Sequence, residues 1–297
     1  FVTKLNAQGS ALIYSTYVNG TGRDVGSGIA INSVGEAFVT GQTTSPDFPV
    51  VSAFDSINDG PLLMNGNYGD VFVFRLNAQG TALVYSTFIG SVFEDAGNSI
   101  VVNSRDEAWI TGIANGNMTN VSIEDFPITG CTFDSTANTG GTGNDFADVF
   151  ITKLSANGNS LLWSSFLGGS GMDVPCTIKL LESCREDIFV GMTVQANYAN
   201  TVSFPTTSGA FRPFPGTLAA VSLAATHFSF IPEIRSITAI DTGCGNVLFT
   251  SPFDTSGCAV LAGIFSNSTY QWDFGDGHIS SLVNPSHKYI IPFRHIL

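Results

Sequence analysis

Three aspartates recur in equivalent surroundings along this chain, and carboxylates are the side chains best suited to binding a hard cation. Asp24, Asp95 and Asp173 each come just before an apolar-rich segment, and Asp273 and Asp276 flank a later glycine turn. Because Ca²⁺ takes several oxygen ligands, both groups are candidate calcium sites. The favoured alternative is that each carboxylate accepts backbone N–H bonds and stabilises a turn. We therefore predict no cofactor, with calcium as the one candidate ion.

The placement of histidine argues against nucleophilic catalysis. The first 226 residues contain no histidine, and the four in the chain are His227, His278, His287 and His295. A Ser-His-Asp or Cys-His site is thereby excluded from that portion. We expect His227 to be simply exposed and His287 to be structural. Since no second acid of a catalytic carboxylate pair can be named either, we predict that the chain is not an enzyme.

The five cysteines lack a zinc-binding spacing. They are Cys131, Cys176, Cys184, Cys244 and Cys258, and no C-x-x-C occurs. Two disulfides are open possibilities: Cys244 with Cys258, and Cys176 with Cys184 across a predicted hairpin. Glycosylation sequons occur at Asn19, Asn117, Asn120 and Asn267. A eukaryotic secretory host would be able to glycosylate them.

A long internal repeat organises most of the chain. Residues 1–9, FVTKLNAQG, return as FVFRLNAQG at 72–80 and as FITKLSANG at 150–158, spaced by 71 and 78 residues. The segments EAFVTG, EAWITG and DIFVG also recur after each copy. A weaker fourth copy of the first segment is placed at 219–223. Repetition at such a period is typical of solenoids, propellers and arrays.

Each repeat predicts four short strands joined by tight turns. In the first full repeat they lie near Val25–Asn32, Glu36–Gln42, Asp70–Asn77 and Leu83–Gly90. The strands are apolar on both faces, which indicates sheets that are covered on both sides. Four-stranded antiparallel sheets stacked around an axis form a β-propeller. The predicted fold class is therefore all-β, with a partial β-propeller of four-stranded antiparallel blades and a further module described below.

The repeat resembles a known family. The pattern carried by Asp24, Gly28, Gly41, 47–49 (Asp-Phe-Pro) and 14–16 (Tyr-Ser-Thr), together with Lys4, is similar to the bacterial SBBP β-propeller repeat. The resemblance covers about residues 1–231. The third copy departs from the pattern, with Pro175-Cys176 where small residues would lie. The sequence therefore leaves undecided whether the strand is regular at its inner end.

The end of the chain is a different module. Residues 272–277, WDFGDG, followed by NPSHKY at 284–289, resemble the PKD domain. This resemblance implies a C-terminal immunoglobulin-like β-sandwich over 232–297, truncated at its C-terminal end. We expect 1–231 to hold half a blade followed by three blades, ending at about Phe230, with upstream blades missing.

The connections between the second and third strands of each blade are unusually long. They span about 43–69, 115–147 and 195–217, and each contains a Phe-Pro pair at Phe48, Phe126 or Phe204. We predict that the phenylalanine anchors each loop on its blade and that the rest decorates one rim. Loops on a rigid scaffold are where binding commonly resides.

Charge and family resemblance together suggest a function class. The net charge of −13 disfavours nucleic acid as a partner, and no apolar run suits membrane insertion. The resemblances imply large secreted or surface proteins of Bacteroidota. We expect an extracellular or cell-surface adhesion or scaffold module that binds protein or glycan, or other subunits of a larger assembly. The alternative is an accessory binding region of a secreted hydrolase whose catalytic domain lies elsewhere.

Overall fold

The fold is all-β, as predicted. A computed structural model of the chain describes residues 1–59, 69–115, 126–130, 132–137, 147–169, 171–182, 186–195, 204–208, 210 and 221–230, followed by eight strand segments after Phe230. Every regular element in these ranges is a β-strand. The described part of the chain includes no helix with the length and apolar character needed to cross a membrane.

The first part of the chain forms a two-stranded sheet and two complete blades. The two-stranded sheet pairs β1 (Val2–Leu5) with β2 (Leu12–Thr16). The first blade consists of β3 (Asp24–Ile31), β4 (Ala37–Thr43), β5 (Asp70–Leu76) and β6 (Leu83–Ile89). The second blade consists of β7 (Asp95–Val102), β8 (Ala108–Asn115), β9 (Ala147–Leu154) and β10 (Leu161–Leu167). Both blades are antiparallel in chain order, and the four strands predicted for the first one agree with the structure to within one residue at each end.

The fourth strand of the third blade comes from the part of the chain after the repeat. Its first three strands are β11 (Asp173–Glu182), β12 (Glu186–Gln195) and β13 (Val221–Phe230). Its fourth strand is β18 (Ala259–Leu261), which pairs with the Phe228–Phe230 end of β13. We expected the three blades to end at about Phe230, but up to that residue the described part of the third blade has three strands. An open β-strand edge favours pairing with another segment, and β18, which follows the predicted boundary at 231/232, pairs there with β13.

The remaining strand segments form small antiparallel sheets. The pairs are β14 (Glu233–Ile234) with β17 (Phe253–Asp254), and β19 (Trp272–Asp273) with β20 (Ile279–Ser280). In a third sheet β16 (Asn246–Thr250) lies between β15 (Thr238–Gly243) and β21 (Ser286–Lys288). The β19–β20 pair flanks the predicted glycine turn, while the immunoglobulin-like sandwich and the domain limits stay predictions.

Apolar cores lie between successive sheets, which explains why the strands are apolar on both faces. Phe72 and Phe74 of the first blade pack in one core with Val2 of the two-stranded sheet. On the other side of the same blade, Val73 shares a core with Ile100 of the second blade. A third core joins residues of the second and third blades, including Trp109, Trp163, Ile178 and Phe228. The sheets therefore stack face to face in chain order.

The first strand of each blade carries a β-bulge at the same place. The register shifts between Gly26 and Gly28 in β3, between Gly97 and Ser99 in β7, and between Pro175 and Thr177 in β11. A bulge is one of the few strand positions where proline is tolerated. The departure of the third repeat at Pro175 is thereby accommodated without loss of the strand.

The first two junctions between sheets also contain a tyrosine packed beneath a glycine turn. The turn before β6 has Gly80 at φ +71°, and the turn before β10 has Gly158 at φ +74°. A Cβ atom on Gly80 would lie 2.4 Å from the ring of Tyr14, and one on Gly158 would lie 2.3 Å from the ring of Tyr85. Both rings belong to the preceding sheet, so the glycine permits a close approach of one blade to the next. Burial raises the pKa of the Tyr85 hydroxyl.

This arrangement predicts that Gly158→Ala destabilises the protein more than Gly9→Ala. Both glycines have positive φ, but a Cβ on Gly9 meets nothing within 4 Å. Gly9→Ala should cost about 1 kcal/mol of backbone strain. Gly158→Ala adds the clash with Tyr85 and should cost roughly 2–4 kcal/mol in total. Urea denaturation of the two variants measures the difference, and equal losses would contradict packing of the turn on the ring.

Candidate functional site

A half-buried cation binds acids from two blades at the junction between the first and second blades. Arg75 lies on β5 directly opposite Phe38 on β4, and its guanidinium is 5.1 Å from the centre of that ring. The guanidinium donates to Glu36 of the same blade through Nε at 2.9 Å. Its Nη2 also lies 2.6 Å from Asp106 Oδ2 of the second blade. One charged side chain therefore joins two neighbouring sheets.

The second junction repeats this arrangement with a lysine. Lys153 on β9 is fully buried and lies opposite Trp109 on β8, with Nζ 5.3 Å from the indole ring. Its ammonium is 2.8 Å from Glu107 of the same blade and 3.1 Å from Glu186 of the third blade. Glu186 also accepts a hydrogen bond of 2.7 Å from the indole Nε1 of Trp109. The pattern of cation, aromatic residue and two acids is thus the same in both blades.

More polar groups surround Glu186. Arg105 Nη2 is 2.6 Å from its Oε1, and Asn103 donates to the same oxygen at 2.6 Å. Burial alone would raise the pKa of Glu186, but the Lys153 ammonium and hydrogen bonds from Trp109 and Asn103 hold that pKa below its ordinary value. Glu186 is therefore a carboxylate bound in its ionised form at the centre of the junction.

The third blade has histidine where the other blades have arginine or lysine. His227 on β13 lies opposite Phe189 on β12. Arg75 lies opposite Phe38, and Lys153 opposite Trp109, at the same register in the first two blades. Its Nε2 is 3.1 Å from Asp187 Oδ1, and its ring stacks on Phe189 at 4.3 Å. We expected His227 to be simply exposed on a degenerate outer strand. That was wrong, because its strand is third of four and its side chain is 29% exposed.

The same register corrects the alignment of the weak fourth repeat copy. We placed that copy at 219–223, which aligns Ser222 with Lys4. Strand pairing instead makes His227 the equivalent of Arg75 and Lys153. The Lys/Arg position in the repeat and the E-A-F/W segments were visible in the sequence, but their contact within each blade was not. Asp106 and Glu186 were missed because they come from the following blade.

The aspartates that were candidates for calcium, Asp24, Asp95 and Asp173, each close a turn between blades, which is the role favoured for them above. They are the first residues of their strands, and each accepts the backbone N–H of the residue four positions earlier. The distances are 2.9 Å from Gly20 to Asp24, 2.5 Å from Ser91 to Asp95 and 2.6 Å from Gly169 to Asp173. Within the ranges that the structure describes, no three His, Cys, Asp or Glu side chains group to hold a metal ion. Asp273 lies in β19, and Asp276 lies outside the described residues.

A second recurring aspartate accompanies this one and was missed in the sequence. Asp70 and Asp148 stand near the starts of the third strands of the first two blades. A Cβ on Gly168 would lie 2.3 Å from Asp148 Oδ1 and 3.0 Å from Asp173 Oδ2, so carboxylates of two blades approach one position. Both carboxylates are buried. They are therefore not accessible to a dissolved substrate in this conformation.

The predicted phenylalanine anchors of the long loops are confirmed. Phe48 is buried and stacks on Phe72 at 4.9 Å, and Phe126 is buried against Phe150 at 4.9 Å. Phe204 is half-buried and packs on the core between the second and third blades.

The first two long loops also form backbone hydrogen bonds with the outermost strands of their blades. In the first blade, Val51 exchanges backbone hydrogen bonds with Ser86 on β6, and Phe88 donates to Asp55. In the second blade, Thr129 and Asp134 contact β10 in the same way, through Ser164 and Phe166. Each of these two loops thus covers the outer edge of its own blade, where an open strand would favour unwanted pairing. The segments 60–68, 116–125, 138–146 and 196–203 lie outside the described residues.

The cysteine and asparagine predictions have mixed outcomes. Cys176 is an exposed free cysteine in the bulge of β11, so the structure does not form the predicted bond to Cys184. Cys176 lies six residues before the end of β11, the first strand of the hairpin that β11 forms with β12. Asn19 is exposed. The other predicted positions, Cys184, Cys244, Cys258, Asn117, Asn120 and Asn267, lie outside the described residues.

The buried acid at the second junction predicts a specific dependence on pH. Because its pKa is lowered in the folded state, Glu186 stabilises the protein above the unfolded pKa of about 4.3, and this contribution is lost as pH falls through the folded pKa. Glu186→Gln should cost about 2 kcal/mol at pH 7, and less as the pH drops below about 4. Urea denaturation between pH 7 and pH 3 measures this difference.

Glu182→Gln is the matched control. Glu182 is exposed and accepts hydrogen bonds from Ser104, also across the junction between the second and third blades. Its substitution should change stability by no more than about 0.5 kcal/mol at either pH. A Glu186→Gln effect as small as this, or one that grows toward low pH, would contradict the junction described above.

Comparison with known proteins identifies one family match. Residues 13–49 match the beta-propeller repeat family called SBBP. The matched stretch runs from β2 through β3 and β4 to the Phe48 anchor of the first long loop. A search of the curated proteins gave no match. This part of the chain is thus similar to a beta-propeller repeat, in agreement with the four-stranded antiparallel blades of the structure.

Proposed function

We propose that the chain is a non-enzymatic scaffold or adhesion module, extracellular or at the cell surface, that binds partners with one rim of its blades. The similarity of residues 13–49 to a beta-propeller repeat favours a binding or scaffold module. Protein or glycan at a cell surface, including subunits of a larger assembly, is the partner class that this proposal names. Nucleic acid and membrane insertion are outside it, as expected from the charge of −13 and from the lack of a long apolar run.

The observation that carries the proposal is that the charged side chains of the blades form ion pairs with one another. Arg75, Lys153 and His227 are each bound by an acid of their own blade. The first two also bind an acid of the next blade. These groups hold sheets together, which is what a rigid scaffold requires.

The course of the first long loop supports the choice of rim. After following β6, the loop returns to the end of β4, where Asn58 donates to the carbonyl groups of Thr43 and Ser45. Asp59 then donates its backbone N–H to Asp70 at the start of β5. The residues that flank segment 60–68 are therefore held at one end of the blade.

An array of glycans and extracellular proteins, probed with the full chain, tests the proposal. For each ligand found, segments 60–68 and 138–146 are replaced by Gly-Ser sequences of equal length. Binding should fall at least about tenfold, because the replaced side chains would supply the contacts. Gln79→Ala is the control, since Gln79 is exposed in a turn at the opposite end of the blade.

Two results would overturn the proposal. One is a ligand whose affinity is unchanged in the loop replacements but reduced by Gln79→Ala. The other is turnover of an arrayed glycan or protein by the purified chain.

A further inference from the structure

The outer strand of the third blade is much shorter than the strand it pairs with. β13 pairs with β12 along its whole length, Val221–Phe230. On its other side it pairs with β18 at Phe228–Phe230 alone, among the strands that the structure describes. In the first blade, by contrast, β6 lies along β5 from Val71 to Leu76. The edge of β13 over residues 221–227 is therefore able to pair with a longer strand.

The short strand β18 has the register of a blade's fourth strand. His227 is the equivalent of Arg75 and Lys153, so the residue after each of these cations occupies the same position in its blade. In all three blades this residue lies opposite a leucine: Leu76 with Leu83, Leu154 with Leu161, and Phe228 with Leu261. β18 therefore corresponds to the first residues of β6 and β10.

The sequence after β18 continues this correspondence. Residues 262–265 read AGIF, where the fourth strands of the first two blades read YSTF at 85–88 and WSSF at 163–166. Direct continuation of the β18 register places Phe265 opposite Ala224. That is the position at which the phenylalanines of the other fourth strands pair: Phe88 with Phe72, and Phe166 with Phe150. β6 and β10 each have one bulged residue after the leucine, and the interval from Leu261 to Phe265 is shorter by one residue.

The phenylalanine anchor of the third long loop is less buried than its two equivalents. In the first two blades the anchor is 3% exposed and packs on the phenylalanine of the fourth strand: Phe48 on Phe88 at 6.2 Å, and Phe126 on Phe166 at 5.5 Å. Phe204 is half-buried, and it packs on the same core as Ala224. A phenylalanine opposite Ala224 would cover Phe204 as Phe88 and Phe166 cover the other two anchors.

The chain between β13 and β18 returns to the place where it left the blade. Directly after β13 and directly before β18, the short strands β14 and β17 pair with each other, Glu233 opposite Asp254 and Ile234 opposite Phe253. Residues 231–258 are therefore a long insertion at the position of the turns 77–82 and 155–160. Because the ends of this insertion are paired, the segment that follows β18 starts beside the edge of β13.

We propose that the edge of β13 over residues 221–227 is the docking site of residues 262–268 of the same chain, which continue β18 as the fourth strand of the third blade. The C-terminal sheet takes β15 and β16 from before this strand and β21 from after it. The blade and the C-terminal sheet are then interlocked by the path of the chain, and no free linker separates them. This inference does not depend on the loop-mediated binding proposed above.

A pair of cysteine substitutions, Ala225→Cys with Ile264→Cys, tests the docking in the full chain. In the proposed register these positions lie directly opposite each other on the face where Ala225 is exposed, with Cβ atoms about 4.5–5.5 Å apart. Mild oxidation should therefore form a disulfide between positions 225 and 264, identified by non-reducing peptide mapping. Ala225→Cys with Phe265→Cys is the matched control. It should form no disulfide, because neighbouring residues of a strand point to opposite faces of the sheet.

A double-mutant cycle gives a second measurement that needs no cross-link. Phe265→Ala should lower the urea midpoint of unfolding, and in a Phe204→Ala background it should lower the midpoint by less than about half as much, because residues in contact do not act independently. Phe48→Ala is the control background. Phe48 lies in the core of the first blade, so there the effect of Phe265→Ala should be unchanged.

Three results would overturn the proposal. One is the absence of a disulfide between positions 225 and 264, or its formation in the control pair instead. Another is an effect of Phe265→Ala that is the same in the Phe204→Ala and Phe48→Ala backgrounds. The third is a disulfide between positions 225 and 264 that joins two chains, seen as a dimer on a non-reducing gel, since a second copy would then supply the strand.

Discussion

The buried cation at each blade junction is the interaction on which the stacking of the sheets depends. An ammonium group such as that of Lys153 costs several kcal/mol to bury unless acids within hydrogen-bonding distance compensate it. Glu107 and Glu186 provide that compensation from two different blades. The second and third blades must therefore lie in one relative position for the charge to be buried at all. Apolar contacts between the same sheets tolerate sliding far better, since they are not directional.

This constraint accounts for the way that the chain uses its few charges. Only 12% of the residues are charged, yet the same positions near one end of each blade hold a cation and acids. The aromatic residue beside each cation adds an attractive face and excludes water, which strengthens the ion pairs. At the opposite end of the blades, the aspartates that begin β3, β7 and β11 bind backbone amides. Charged side chains thus stabilise the connections between blades at both ends of the sheets.

The outer edges of the blades impose a second constraint. The last strand of a blade has one unpaired side, and an exposed edge favours association with other strands. The long loops meet this need in the first two blades, since they lie along β6 and β10. In the third blade, β18 pairs with β13 from a distant part of the sequence. The length of these connections is therefore explained in part by edge protection.

Local sequence patterns were sufficient to predict the strands and the loop anchors of the first blade. Alternating and continuous apolar runs, turn residues and the repeat placed the strands of the first blade within one residue, because strand formation depends on neighbouring residues and on the period of two. The Phe48 and Phe126 anchors followed from their recurrence before proline. Only the tertiary structure decided the partners of the charged residues. Asp106 and Glu186 bind cations 31 and 33 positions earlier in the chain, across a junction that no local pattern describes. The role of His227 and the pairing of β18 were decided in the same way, since register and edge pairing depend on residues that are distant in sequence and adjacent only after the sheets stack.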